Sequence, residues 1–127
     1  MYEVKVRASF SAAHNLRNYR GKCEKLHGHN WTVEAAVASE KVDKDGMVLD
    51  FVVLKKTLKK ILAELDHAYL NKAPYFKRNN PSSENIARYV HDKLREGLRR
   101  TPDAAHCTVS RVSIWETENS CAEYREE

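Results

Sequence analysis

Two stretches near the start of the chain alternate apolar and polar residues with the period of a half-buried β-strand. In the first, Tyr2, Val4, Val6, Ala8, Phe10 and Ala12 share one parity and lead to His14; in the second, Trp31, Val33, Ala35 and Val37 share theirs with His27 and His29. Side chains two apart on a strand project to the same side. Each histidine therefore falls in line with an apolar row. If the runs pair as a hairpin across a loop from Asn15 to Glu24, rich in Arg, Asn and Lys, all three histidines meet on one face. Convergent neutral imidazoles are the usual start of a transition-metal site, with zinc the commonest occupant. Three of them leave a tetrahedral zinc one open position, the arrangement of a catalytic centre.

A lone buried histidine is most often satisfied by a backbone or water hydrogen bond, and His14 by itself reads that way. The His27-Gly28-His29 pair turns the reading toward metal. Cys23 precedes His27 by four positions and lies between Lys22 and Lys25. It reads as the fourth ligand of a closed Cys-His₃ centre, as an inert thiol packed like a small hydrophobe, or as a base or nucleophile activated by nearby positive charge. The residues alone leave these three open.

The remainder of the chain has the size and pattern of one domain over residues 1–127. Lys44-Asp45-Gly46 marks a turn, and Asp50 is a helix N-cap before Phe51, Leu54, Leu58, Ile61, Leu62 and Leu65, with the helix expected to end near Asp66. Lys72 to Asn80, holding Pro74 and followed by Pro81, reads as a loop. A second helix follows from Ser82 or Ser83, with Ile86, Val90, Leu94 and Leu98 as its stripe, closed by Pro102. Thr108, Ser110, Val112, Ile114 and Glu116 then alternate with Val109, Arg111, Ser113 and Trp115, and Cys121 to Tyr124 supplies a short partner strand. The order ββααββ indicates an α+β fold: a four-stranded antiparallel sheet with two helices on one face. The other face still carries apolar groups such as Trp115, which points to packing between subunits.

The formal net charge of +4 invites a nucleic-acid reading, but the lysines and arginines lie at solvated helix positions such as Lys55, Lys59, Arg95 and Arg99, and no nucleic-acid motif accompanies them. No apolar run approaches a membrane span, and no signal or transit segment is expected. Three cysteines without framework spacing suit a reducing compartment, so the expected location is the cytoplasm.

Asp66-His67 forms a second chemical cluster. A carboxylate-held imidazole is the usual construction of a proton relay, although adjacent residues on a helix do not face one another. Glu116 ends an apolar strand row, where a carboxylate is costly unless paired, ligand-bound or already in solvent. Its two acceptor oxygens suit a planar ligand with adjacent N–H donors. His91 reads as a helix-face residue and His106 as lying at the start of a strand.

Phe10-Ser11-Ala12-Ala13-His14, Cys23-x₃-His27-Gly28-His29-Asn30, Val48-Leu49-Asp50-Phe51, Leu65-Asp66-His67-x₂-Leu70-Asn71, Pro81-Ser82-Ser83-Glu84-Asn85 and Trp115-Glu116-Thr117 occur in that order over nearly the whole chain. Together they resemble the 6-pyruvoyltetrahydropterin synthase family. The three residues between Cys23 and His27 look like its bacterial branch, the 6-carboxy-5,6,7,8-tetrahydropterin synthases of queuosine biosynthesis. Trp31, where a smaller aromatic is common, and Ser83, where threonine often stands, depart from the pattern without touching a proposed ligand.

The resemblance implies a tunnelling fold, with ββααββ subunits closing into a trimeric barrel and two trimers stacking as a hexamer. It implies that His14, His27 and His29 bind Zn²⁺, that Cys23 is the proton-abstracting base, that His67 supported by Asp66 is the second proton-transfer group, supplied by a neighbouring subunit, and that Glu116 anchors the pterin. The implied substrate is 7,8-dihydroneopterin triphosphate, a small-molecule partner, with no direct contact to nucleic acid. Its side chain is cleaved to give 6-carboxy-5,6,7,8-tetrahydropterin, acetaldehyde and triphosphate. Arg17, Arg20 and Lys22 are candidates for holding the triphosphate. The alternatives are 6-pyruvoyltetrahydropterin synthase activity, which eliminates triphosphate without cleavage, and a structural zinc module that binds a macromolecular partner.

Overall fold

A computed structural model describes residues 1–126. Strands β1 (Tyr2–His14), β2 (His27–Ser39), β3 (Thr108–Thr117) and β4 (Ser120–Tyr124) form one antiparallel sheet in the order β1-β2-β3-β4. Helices α1 (Phe51–Ala63) and α3 (Ser83–Arg99) lie on one face, α1 against β1 and α3 against β3 and β4. The alternation that selects the strands also aims them: Val6, Phe10, Trp31, Val33, Val112 and Ile114 face Leu54 and Leu58 of α1 and Ile86, Val90 and Leu94 of α3 in one apolar core. Full burial of each large side chain favours folding by roughly 1.5–3 kcal/mol.

Both helix starts follow from their caps. Asp50 accepts a hydrogen bond from the Val52 amide at 2.8 Å, and Ser82 accepts one from Asn85 at 3.2 Å.

The region after α1 differs from the expected loop. The helix stops at Ala63 and the chain continues in turns through His67. Leu70–Lys72 then forms a 3₁₀ turn and Pro74–Arg78 a short helix, α2. Pro74 opens α2 because proline's fixed φ and missing N–H suit the first turn of a helix. Phe76 is fully buried beneath it.

Two bulges alter β3. Ser110 is the extra residue opposite the Ala36–Val37 step, so Val109 joins Val112 and Ile114 against the core instead of sharing the parity of Arg111. The open sheet face is also more polar than the Trp115 argument implied. Arg111 bonds Glu3 at 2.8 Å and approaches Glu123 at 3.2 Å, while Arg7 lies 3.5 Å from Glu34. His91 belongs to the interior, 1% exposed and edge-on to Tyr124.

Candidate active site

The hairpin register assembles the histidines. His14 stands opposite His27, and Ala12 opposite His29, so three imidazoles share the end of the core-facing rows. Their centroids lie 4.7–5.2 Å apart in edge-on contact. Trp31 closes the site from below, with its ring edge-on to His14 and His29 and stacked on Phe10 at 5.1 Å.

Backbone carbonyls fix which ring nitrogens are free. His14 Nδ1 lies 2.7 Å from the Pro81 oxygen, and His27 Nδ1 lies 2.8 Å from the Lys25 oxygen. A carbonyl only accepts, so both Nδ1 atoms carry the proton and both Nε2 atoms present lone pairs. Those two Nε2 atoms are 3.1 Å apart. Facing lone pairs at that distance are repulsive until a cation lies between them. Ligands about 2.0–2.1 Å from a tetrahedral zinc have a comparable mutual spacing. His29 Nε2 is buried and has no aligned hydrogen-bond partner, although Glu116 Oε1 is only 2.9 Å away. The donor set thus fits a metal, and His14, His27, His29 and Glu116 form a group that could hold one. Burial pushes the His14 imidazole below its usual range against the opposing pull of the Pro81 bond, which keeps its ligand nitrogen unprotonated.

Glu116 continues the core-facing row of Val112 and Ile114 to the histidines and sits at the second bulge of β3. Trp115 pairs with Cys121 and Thr117 with Ser120, which leaves Glu116 as the unpaired extra residue. Its side chain turns toward the histidines and stays about one third exposed, with Oε1 also 3.5 Å from His14 Nε2. No residue-type pattern announces this bulge.

Asp66 and His67 come to the same end of the sheet from the other direction. The Ser11 amide donates to Asp66 Oδ1 at 2.9 Å, the His67 amide donates to the Ser11 carbonyl, and the Ala13 amide donates to the Ala68 carbonyl at 2.9 Å. The post-helix segment is therefore bonded to the outer edge of β1. His67 has φ +59°, and in this left-handed conformation its Nδ1 lies 3.0 Å from Asp66 Oδ2. The expected mismatch between neighbours on a helix does not arise, because the helix has already ended. The Ser11 bond, with help from His67, holds the Asp66 carboxyl below the usual carboxylate range. The His67 ring is largely exposed and lines, with His29, Ser11, Gly28 and Asn30, an open cleft of about 400 Å³.

Cys23 is exposed on the loop between β1 and β2 and does not join the histidine group. Of the cationic candidates on that loop, Arg17 is engaged, its guanidinium donating to the Phe76 carbonyl. Arg20 lies over the Tyr19 ring at 5.3 Å, and the Lys22 backbone bridges to Tyr19. A second group of metal-capable residues, His91, Asp92 and Glu126, has Arg95 paired with both of its carboxylates, which supplies the positive charge there.

The sequence matches the 6-pyruvoyl tetrahydropterin synthase family over residues 3–127. The chain belongs to this family. It is 38% identical over 123 residues to a putative 6-carboxy-5,6,7,8-tetrahydropterin synthase of Archaeoglobus fulgidus, covering 96% of this chain and 94% of that protein. It is also 38% identical over 110 residues to the dihydroneopterin monophosphate aldolase of Pyrococcus furiosus, covering 87% and 85% respectively. Among solved structures, the 6-pyruvoyl tetrahydropterin synthase of Caenorhabditis elegans superposes with a TM-score of 0.82 at 27% identity, covering 99% of this chain and 96% of that one. The four-stranded sheet with its helices is thus the family fold. Among the described residues, no helix is long and apolar enough to cross a membrane.

Proposed function

We propose that this family member is a zinc-dependent carbon–carbon lyase. It converts 7,8-dihydroneopterin triphosphate and water to 6-carboxy-5,6,7,8-tetrahydropterin, acetaldehyde and triphosphate, the cytoplasmic pterin step of queuosine biosynthesis. The observation that carries this reading is the meeting of two unprotonated Nε2 atoms with the unpartnered Nε2 of His29, the one histidine of the three that also lines the cleft with His67. The Archaeoglobus relative, named for this product, supports the reaction.

His14, His27 and His29 would hold Zn²⁺, with their ring orientation set by Pro81 and Lys25. The bound ion would supply Lewis acidity to the side-chain oxygens of the substrate. Glu116 accepts hydrogen bonds from adjacent pterin N–H groups and fixes the ring beside the histidines. Cys23, as thiolate, removes a proton from the substrate side chain, and His67 delivers one, its tautomer held by Asp66. The cleft is open on one side, and the outer edges of β1 and β4 are the two ends of the sheet. We read residues 1–127 as one domain that assembles edge to edge into a trimeric barrel, stacked in pairs as a hexamer, with sites shared between subunits.

The test is mass spectrometry of the products formed from 7,8-dihydroneopterin triphosphate by zinc-loaded protein. A 6-carboxytetrahydropterin mass with acetaldehyde supports the lyase, and 6-pyruvoyltetrahydropterin alone replaces it with elimination. The equal identity to the Pyrococcus aldolase favours a second assay with dihydroneopterin monophosphate. Selective turnover of the monophosphate replaces the proposed reaction with aldol cleavage. Unchanged pterin in both assays with zinc fully bound overturns the enzyme readings.

A further inference from the structure

The residues that follow His14 are held by side chains, where a sheet would use a neighbouring strand. Asn71 accepts from the Asn15 amide at 3.0 Å through Oδ1 and donates to the Asn15 carbonyl at 2.7 Å through Nδ2. Asn80 does the same for Arg17, with Oδ1 accepting from its amide at 2.8 Å and Nδ2 donating to its carbonyl at 2.9 Å. Each carboxamide thus reproduces the two-point bonding of one strand residue, and the two grip alternate positions of the chain.

The grip extends to Cys23. Leu16, between the two clamped residues, donates its amide to Glu24 Oε1 at 3.1 Å and accepts the Glu24 amide at 2.9 Å. Asn15 Nδ2 donates to the Glu24 carbonyl at 3.1 Å. Glu24 is the immediate neighbour of Cys23, so the thiol's position is set through one continuous hydrogen-bonded route from Asn71 and Asn80. Asn80 also precedes Pro81, whose carbonyl fixes the His14 tautomer, and Asn85 ties the Asn80 carbonyl to the first turn of α3 at 2.8 Å.

We propose that Asn71 and Asn80 are positioning residues for catalysis. They form a paired carboxamide clamp that holds the Cys23 loop in register with the histidine centre without touching substrate or metal. The catalytic part of this inference rests on the pterin-lyase reading; the loop-holding part does not.

Asn71→Asp and Asn80→Asp, made singly, are nearly isosteric but set a carboxylate oxygen against a carbonyl oxygen, replacing one bond of each pair with repulsion. The expected result is a kcat reduced roughly 10- to 100-fold with KM within about twofold. Zinc content should stay full, and amide hydrogen exchange should accelerate only within residues 15–24. A kcat within about twofold of the parent for both variants overturns the proposal, as does faster exchange spread across the whole sheet. If a clamp variant does not fold, Asn15→Ala, which removes one of the three bonds between the loop root and Glu24, is held to the same criteria. If the parent protein turns over no pterin, the lyase reading fails by itself; exchange accelerated only at 15–24 then supports the clamp, and unchanged exchange there overturns it.

Discussion

His67 Nδ1 lies 3.0 Å from Oδ2 of Asp66, its immediate chain neighbour, because His67 adopts φ +59° just past the end of α1. A helical backbone would have pointed the two side chains apart. The contact gives His67 a fixed tautomer on an exposed ring. Asp66→Asn should keep the Ser11 amide bond and lose the charge, lowering kcat by about 10²-fold with KM nearly unchanged. Steady-state kinetics check this, and a parent-like kcat would remove Asp66 from proton transfer.

Glu116 has two candidate duties, metal ligand or pterin anchor, since its carboxylate stands in the histidine group, 2.9 Å from His29, yet stays about one third exposed. As pterin anchor, Glu116→Gln should retain one zinc per subunit and raise KM at least about tenfold, a charged hydrogen bond being worth about 1.5–3 kcal/mol. Metal analysis beside the kinetics decides the matter. Loss of zinc in the variant would reassign Glu116 as a ligand.

Metal removal should abolish turnover before structure. The core of Trp31, Leu58, Val90 and Ile114 is complete without any ion, so circular dichroism of chelator-treated protein should keep its strand and helix signal at 25 °C. A structural zinc module would unfold in the same experiment.

Acid should destabilise the metal-free protein in a defined direction. Burial holds the folded-state His14 value below the ordinary 6.5. Below that ordinary value the unfolded chain takes up a proton that the folded chain resists. Stability present above about pH 6.5 is therefore lost as pH falls toward the depressed folded-state value. Urea midpoints of stripped protein between pH 7.5 and 5 should fall, with a shallower fall for His14→Asn; equal slopes would contradict the assignment.

Trp31 joins the core to the histidine cluster, fully buried between Phe10 and the histidine rings. Trp31→Ala should cost about 3–5 kcal/mol of stability, read as a lowered denaturation midpoint. A loss under 1 kcal/mol would mean that the site collapses around the gap.

Strand parity put His14, His27 and His29 in one row before any coordinates, because a period of two is a local property of the backbone. The caps at Asp50 and Ser82 were legible for the same reason. The bulges at Ser110 and Glu116 were not. An extra residue is defined by the partner strand, which for Ser110 lies more than seventy residues away in β2 and for Glu116 is β4 across the turn, and no residue type within β3 marks either position. Pro74 misled for a related reason, since proline marks both loops and first turns, and the burial of Phe76 decides between them. Asn71 stood in a recognisable motif and Asn80 in a loop signature, but neither pattern showed the backbone that each side chain grips.

Because His14 and His27 face one another across a hairpin register, their separation is independent of the length of the intervening loop. Insertions or deletions between Asn15 and Glu24 can move the thiol and its neighbouring charges while the strand register and the Lys25 carbonyl keep the imidazoles in place. The fold therefore separates a histidine cluster set by the sheet from a thiol-bearing loop whose length the sheet does not dictate.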